Sequence, residues 1–165
     1  MVYVAVENAG VPIEGLLALL IAESALDPYA ERWGSETRKA QRLIVIQDWT
    51  SLQALINDVQ PDISFGMSQR IVKYHWEGNG THTYQNVLAV RKAVFDDPAR
   101  DVLEAAKRYA FNLSQVGGNI LEGLMVYNYG HFASVAERAT TTFQAHLASY
   151  ASALRKAKEI LRSIG

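Results

Sequence analysis

Seven apolar residues in a row, Leu16-Leu17-Ala18-Leu19-Leu20-Ile21-Ala22, run straight into Glu23 and constrain this chain more than any other stretch. Gly10-Val11-Pro12 before them reads as a loop feeding a helix, with proline tolerated in the first turn. A helix that is apolar nearly all round belongs at the centre of a fold. Asp27-Pro28 is expected to end it, because the residue before proline is pushed out of the helical region. The run is too short to span a bilayer. Only Glu7 and Glu14 carry charge upstream of it, so it also lacks the basic flank of a secretory signal. The segment is therefore read as the interior helix of a globular domain that ends in a carboxylate.

The 165 residues favour one domain over 1–165, with enough chain to bury a sizeable core. A net charge of −1 gives no electrostatic pull toward nucleic acid or an anionic membrane, and neither is expected as a partner. The absence of cysteine excludes disulfides, a thiol nucleophile and thiolate-ligated metal.

Helical spacing recurs along the rest of the chain. Residues 31–41 are polar and read as loop passing into helix. Leu52, Leu55, Ile56 and Val59 form a helical stripe, while "LIVI" at 43–46 also fits a strand. Gln60-Pro61-Asp62 and residues 77–83 read as turn and loop. Residues 84–95 read as helix. Asp96 or Asp97 caps the next helix, with Pro98 just inside it, and Val102, Leu103, Ala106, Tyr109 and Ala110 share one face. Gly117-Gly118-Asn119 breaks the chain, residues 120–130 form a short apolar helix closed by glycine, and one long amphipathic helix runs from about Ser134 to Leu161. The expectation is a mainly α, single globular helical domain with a substrate cleft and little or no sheet.

Candidate chemistry is sparse. Glu23, beside the apolar block, is expected to be partly desolvated, which raises a carboxyl pKa and suits a general acid. Taken alone, a glutamate near a helix end is more often solvated. His75, His82, His131 and His146 lack the paired spacing of a zinc helix, and no metal or cofactor is expected. Ser24 and Ser64 have no nearby histidine arranged for nucleophilic catalysis. "GNG" at 78–80 lacks the rest of a phosphate loop. Arg155, Lys156, Lys158 and Arg162 read as a solvated face that complements the last helix dipole. Tyr29, Trp33, Tyr74, Trp76, Tyr84, Tyr127 and Tyr129 are core or loop anchors, a few of which would suit flat sugar faces.

Four segments, in order, resemble the signature of the lytic transglycosylase (SLT) domain of the goose-type-lysozyme-like class. "LLALLIAESALDPYA" is similar to the apolar helix that ends in Glu-Ser, with Glu23 at the catalytic position, Ser24 beside it and Ala30 at the end. "SFGMSQRI" (64–71) resembles Gly-Leu-Met-Gln through Gly66, Met67 and Gln69. "FDDPARDVLEAAKRYAFNL" (95–113) resembles the Asp-Pro-x-x-Asn-Ile helix, and "GLMVYNYG" (123–130) resembles Ala-x-x-Tyr-Asn-x-Gly. Tyr150 matches a late tyrosine that approaches the glutamate. Ser68 stands at a usual methionine and Asp101 at a usual asparagine. The motifs occupy residues 11–150. About thirty residues separate the first two, so 34–62 reads as an insertion in which Trp49 and its neighbours form an extra helix or lid.

The resemblance implies cleavage of the β-1,4 bond between N-acetylmuramic acid and N-acetylglucosamine in peptidoglycan, Glu23 acting as acid and then base. The muramyl C6 hydroxyl would supply the nucleophile and leave a 1,6-anhydro ring, so a second carboxylate would not be needed. Ser64, Met67, Gln69, Tyr127 and Asn128 would line the glycan groove, and Tyr150 would orient or tune Glu23. The partner would be the glycan strand of a cell wall, reached from the periplasm, from outside, or by phage delivery; a virus-encoded lysin and a bacterial wall-remodelling enzyme both fit. Three rivals stay open. A hydrolytic muramidase on the same fold would need a second carboxylate, for which Asp27, Asp48, Asp58 and Asp62 are the candidates. The other two are a non-catalytic glycan-binding module and an unrelated helical interaction domain.

Overall fold

The computed structural model of the chain describes residues 1–59, 63–72 and 82–164. The turn expected at 60–62, with Asp62, and Tyr74, His75, Trp76 and most of the 77–83 loop lie outside the described residues. The helices are α1 (Val2–Ala9), α2 (Ile13–Ser24), α3 (Thr37–Val45), α4 (Trp49–Val59), α5 (Tyr84–Asp96), α6 (Pro98–Gln115), α7 (Ile120–Tyr129), α8 (Val135–Arg138) and α9 (Thr141–Ile164). Three short strands, β1 (Glu31–Trp33), β2 (Ile63–Phe65) and β3 (Arg70–Ile71), complete the set. Helix accounts for 72% of the structure, so the mainly α expectation with little sheet holds.

Two compact units share the chain. One takes residues 1–26 and 102–165, the other residues 27–101. In the first, α2 packs against α1, α7 and α9. Every residue from Gly15 to Leu20 is buried, and Leu16, Leu19 and Leu20 are wholly so. Full burial of each leucine contributes about 1.5–3 kcal/mol, which makes α2 the core of this unit. On α9, Tyr150, Ala153 and Ala157 are buried at helical spacing, so small side chains let α9 approach α2 closely. Gly15 is small for a local reason. A Cβ there would run into the phenol of Tyr109, itself fully buried on α6.

Several boundaries differ from the expectations drawn from sequence. Helix α2 stops at Ser24, before Asp27-Pro28 can act. Ala25 (φ 55°) and Leu26 (φ 69°) both take the left-handed conformation. Their N–H groups donate to the carbonyls of Ile21 (3.0 Å) and Leu20 (3.3 Å), which closes the helix end. Pro28 is thus a second stop beyond one already made. The long terminal helix is broken once: Ser134 and Glu137 form a reciprocal capping box at α8, and α9 restarts at Thr141. Helix α1, closed by Gly10 in the left-handed conformation, adds an element ahead of α2.

The second unit holds a small antiparallel sheet in the order β1-β2-β3, with Arg32 opposite Ser64 and Ser64 opposite Ile71. Trp33 and Phe65 meet edge to face at 5.4 Å. They share a core with Leu43, Leu52, Leu55 and Ile56 from α3 and α4 and with Val87, Val90 and Val94 from α5. The ambiguous "LIVI" therefore ends a helix, because Leu43 is one of α3's inward positions. The segment read as an insertion contributes α3 and α4 to this core. Asp97 accepts the N–H of Arg100 at 3.0 Å and starts α6 at Pro98, as expected.

Candidate functional site

Glu23 sits in the last turn of α2, half-buried, with Ser24 between it and the two left-handed residues. Left-handed backbone costs an L-residue about 1–2 kcal/mol, so this corner is held by its surroundings and not by local preference. Ser24 beside it donates its hydroxyl to the Leu20 carbonyl at 3.1 Å, which makes it part of the helix end.

The hydroxyl of Tyr150, 127 residues away in sequence, donates to Glu23 Oε1. Tyr150 is 2% exposed. Burial first, then the negative charge of Glu23, push its phenol well above the ordinary value, and only the amide of Asn128 works the other way. The phenol therefore stays protonated through the whole physiological range and is a permanent donor to the carboxyl. Tyr127, half-buried, also bears on Tyr150, whereas Asn128 is exposed and receives His146 Nδ1 on its Oδ1 at 2.7 Å. The first unit thus brings Glu23, Tyr127, Asn128 and Tyr150 together.

Ser64, Met67 and Gln69 belong to the second unit, Ser64 on β2 and the other two on the turn between β2 and β3. Ser64 is 4% and Met67 7% exposed, and Gln69 is half-buried. The Gln69 amide is turned inward. Its Nε2 donates to the carbonyls of Gly66 (2.9 Å) and Ala30 (3.2 Å), and its Oε1 accepts the hydroxyl of Ser64 at 3.0 Å. Gly66 (φ 78°) donates its N–H to Ala30 at 2.8 Å, and a Cβ there would run into Val94 and Asp101. These residues brace the turn from within.

Asp101 is 1% exposed and supports the same turn from α6. Its Oδ1 accepts the hydroxyl of Ser68 at 2.6 Å and its Oδ2 the Ser68 N–H at 3.1 Å. The Met67 N–H also reaches it. Burial raises its pKa, against the pull of those donors and of Arg70. Ser68 and Asp101, far apart in the chain, are therefore partners. The aspartate uses both of its oxygens as acceptors, and the serine supplies a donor to each. Thirty-three residues separate them, so neither position announces the other in the sequence.

Of the aspartates considered as a second carboxylate, Asp48 accepts from the N–H and hydroxyl of Ser51 at the start of α4, and those bonds, the hydroxyl's first, lower its pKa. Asp27 accepts the N–H of Tyr29. Both serve local turns, and Asp58 is exposed. His131 pairs with Glu137 on the surface. Among the described residues no cluster of three or more His, Asp or Glu side chains is poised to hold a metal, and no helix is long and apolar enough to cross a membrane. His146 was set aside in sequence with the other histidines. Its signal was present: it lies one helical turn before Tyr150. Compared with protein-family models, with curated proteins and with solved structures, the chain matches none.

Proposed function

We propose that this protein is a peptidoglycan lytic transglycosylase with a lysozyme-like fold, and that Glu23 is its acid and then its base. The observation that carries the reading is the Tyr150 hydroxyl bound to Glu23 at the end of an otherwise apolar helix. The phenol gives the carboxyl a fixed hydrogen-bond donor. In the first step Glu23 gives its proton to the glycosidic oxygen as the bond to muramyl C1 breaks. In the second, the muramyl C6 hydroxyl bonds to C1 and its proton returns to the carboxylate. The product is a 1,6-anhydro sugar, and no water is consumed. Tyr127 and Asn128 lie on the Glu23 side of the chemistry, while Ser64, Met67 and Gln69 shape the β2–β3 turn. The protein would act on the cell wall.

The test is digestion of purified peptidoglycan followed by mass spectrometry. Anhydro-muropeptides from the wild type, lost in a folded Glu23→Gln variant, are the expected result. Reducing ends would convert the reading to a hydrolytic muramidase. Absence of turnover by the folded wild type would refute it and leave a binding or interaction module.

A further inference from the structure

We propose that His146 is a positioning residue for Glu23, acting through Asn128 and Tyr150; the inference deepens the catalytic reading of Glu23 and rests on it. Three hydrogen bonds run in one direction. His146 Nδ1 meets Asn128 Oδ1 at 2.7 Å, the Asn128 amide bonds the Tyr150 phenol, and the phenol donates to Glu23 Oε1. Each link fixes the next. An amide whose oxygen is occupied by an N–H must turn its NH2 outward, and here that group meets the phenol oxygen. A phenol oxygen that accepts there has its own proton left for the carboxylate. Had Asn128 been reversed, its oxygen would compete for the tyrosine proton and Glu23 would lose its donor.

His146 is suited to hold this order. Its Nδ1 carries a proton in the imidazolium and in the Nδ1–H tautomer, and the Asn128 carbonyl selects that tautomer. The relay therefore keeps its direction whether or not the ring is charged. The ring is seated by the edge of Tyr129, with centroids 5.8 Å apart, and Tyr129 in turn leans on Phe143 at 5.4 Å. Phe143 is buried, so the exposed end of the relay is anchored to the core of its own unit. His146 and Tyr150 lie one turn apart on α9, so a single rigid helix sets both ends of the Asn128 bridge.

The experiment is a carbon-13 NMR titration of the Glu23 side-chain carboxyl in the full chain, its signal assigned with Glu23→Gln. Tyr150→Phe removes the donor and is expected to move the titration midpoint to higher pH. His146→Ala is expected to move it the same way by a smaller amount, and His146→Asn, which can place an N–H where Nδ1 was, to restore it. The double variant His146→Ala/Tyr150→Phe should titrate like Tyr150→Phe alone, because His146 acts only through the phenol. Turnover of peptidoglycan by His146→Ala should fall roughly two- to tenfold with KM retained, the range expected for one hydrogen bond in the chain. An unmoved midpoint in His146→Ala, or additive shifts in the double variant, would overturn the proposal. The titration needs no activity. A relay seen by NMR in a protein that does not turn over peptidoglycan would sink the enzymatic reading and leave the geometry standing.

Discussion

The Ser68–Asp101 pair lends itself to a quantitative test. Ser68→Ala removes one short hydrogen bond to a carboxylate, which is worth about 1.5–3 kcal/mol. Asp101→Ala leaves the N–H groups of Ser68 and Met67 without that acceptor, at about 1–3 kcal/mol for each buried donor, so a total of about 2–6 kcal/mol is expected. Once Asp101 is alanine, Ser68→Ala has no bond to a carboxylate left to remove, and the double variant shows it. Its cost should fall short of the sum of the single ones by about 1–2 kcal/mol, the coupling of residues in direct contact. Urea denaturation followed by tryptophan fluorescence is the assay, since Trp33 and Trp49 lie in the second unit. A coupling within about 0.5 kcal/mol of zero would refute the pairing. The pH dependence gives an independent check. Asp101 has a native pKa above its ordinary 3.8, so between that value and the higher native one the folded state binds the extra proton. Its contribution to stability is then greatest at low pH and declines as pH rises through the native value. Relative to Asp101→Asn, which does not titrate, the wild type should lose ground across that window. A gain would contradict the burial argument.

Three further outcomes follow from local geometry. Gly15→Ala should cost about 1–3 kcal/mol by overlap with Tyr109, and Tyr109→Phe should recover part of it, because the phenol oxygen is the nearest atom; equal costs in both backgrounds would refute the contact. Ala25→Gly should stabilise the chain by about 0.5–1 kcal/mol, read as a higher urea midpoint, since glycine bears φ 55° without the penalty of a Cβ. His131 should titrate above its ordinary 6.5 in proton NMR, owing first to its hydrogen bond with Glu137, and fall back in Glu137→Gln. The small stability His131 gains is present below 6.5 and lost as pH rises through its native value, whereas Glu137, lowered from 4.5 to about 2 first by the Ser134 N–H, loses its share as pH falls from 4.5 to about 2.

Legibility in the sequence followed the range of the interactions. The interior character of α2 was readable because burial of Leu16, Leu19 and Leu20 is written in composition alone. The start of α6 was readable because Asp97 caps within three residues. The end of α2 was misread, since Pro28 carries a strong local signal whereas Ala25 and Leu26 adopt left-handed backbone against their preference. The strands were not called out, being two or three residues long and held by partners far along the chain. At the candidate site, Glu23 and Tyr150 were singled out through their motifs. The bond between them, the Ser68–Asp101 pair and the His146–Asn128 contact each join separate segments, and no periodicity reports such pairings.

The unit that contains Glu23 is assembled from both ends of the described chain, with residues 27–101 forming the other unit between them. During vectorial synthesis, α2 emerges first and must wait for α9, the helix it packs on and the one that brings Tyr150. The intervening unit can fold as a body while α2 is still an unpaired apolar segment. A ribosome-bound chain thus carries the carboxyl long before it carries the phenol. Under the catalytic reading, the acid acquires its donor only after the whole intervening unit and α9 have been made.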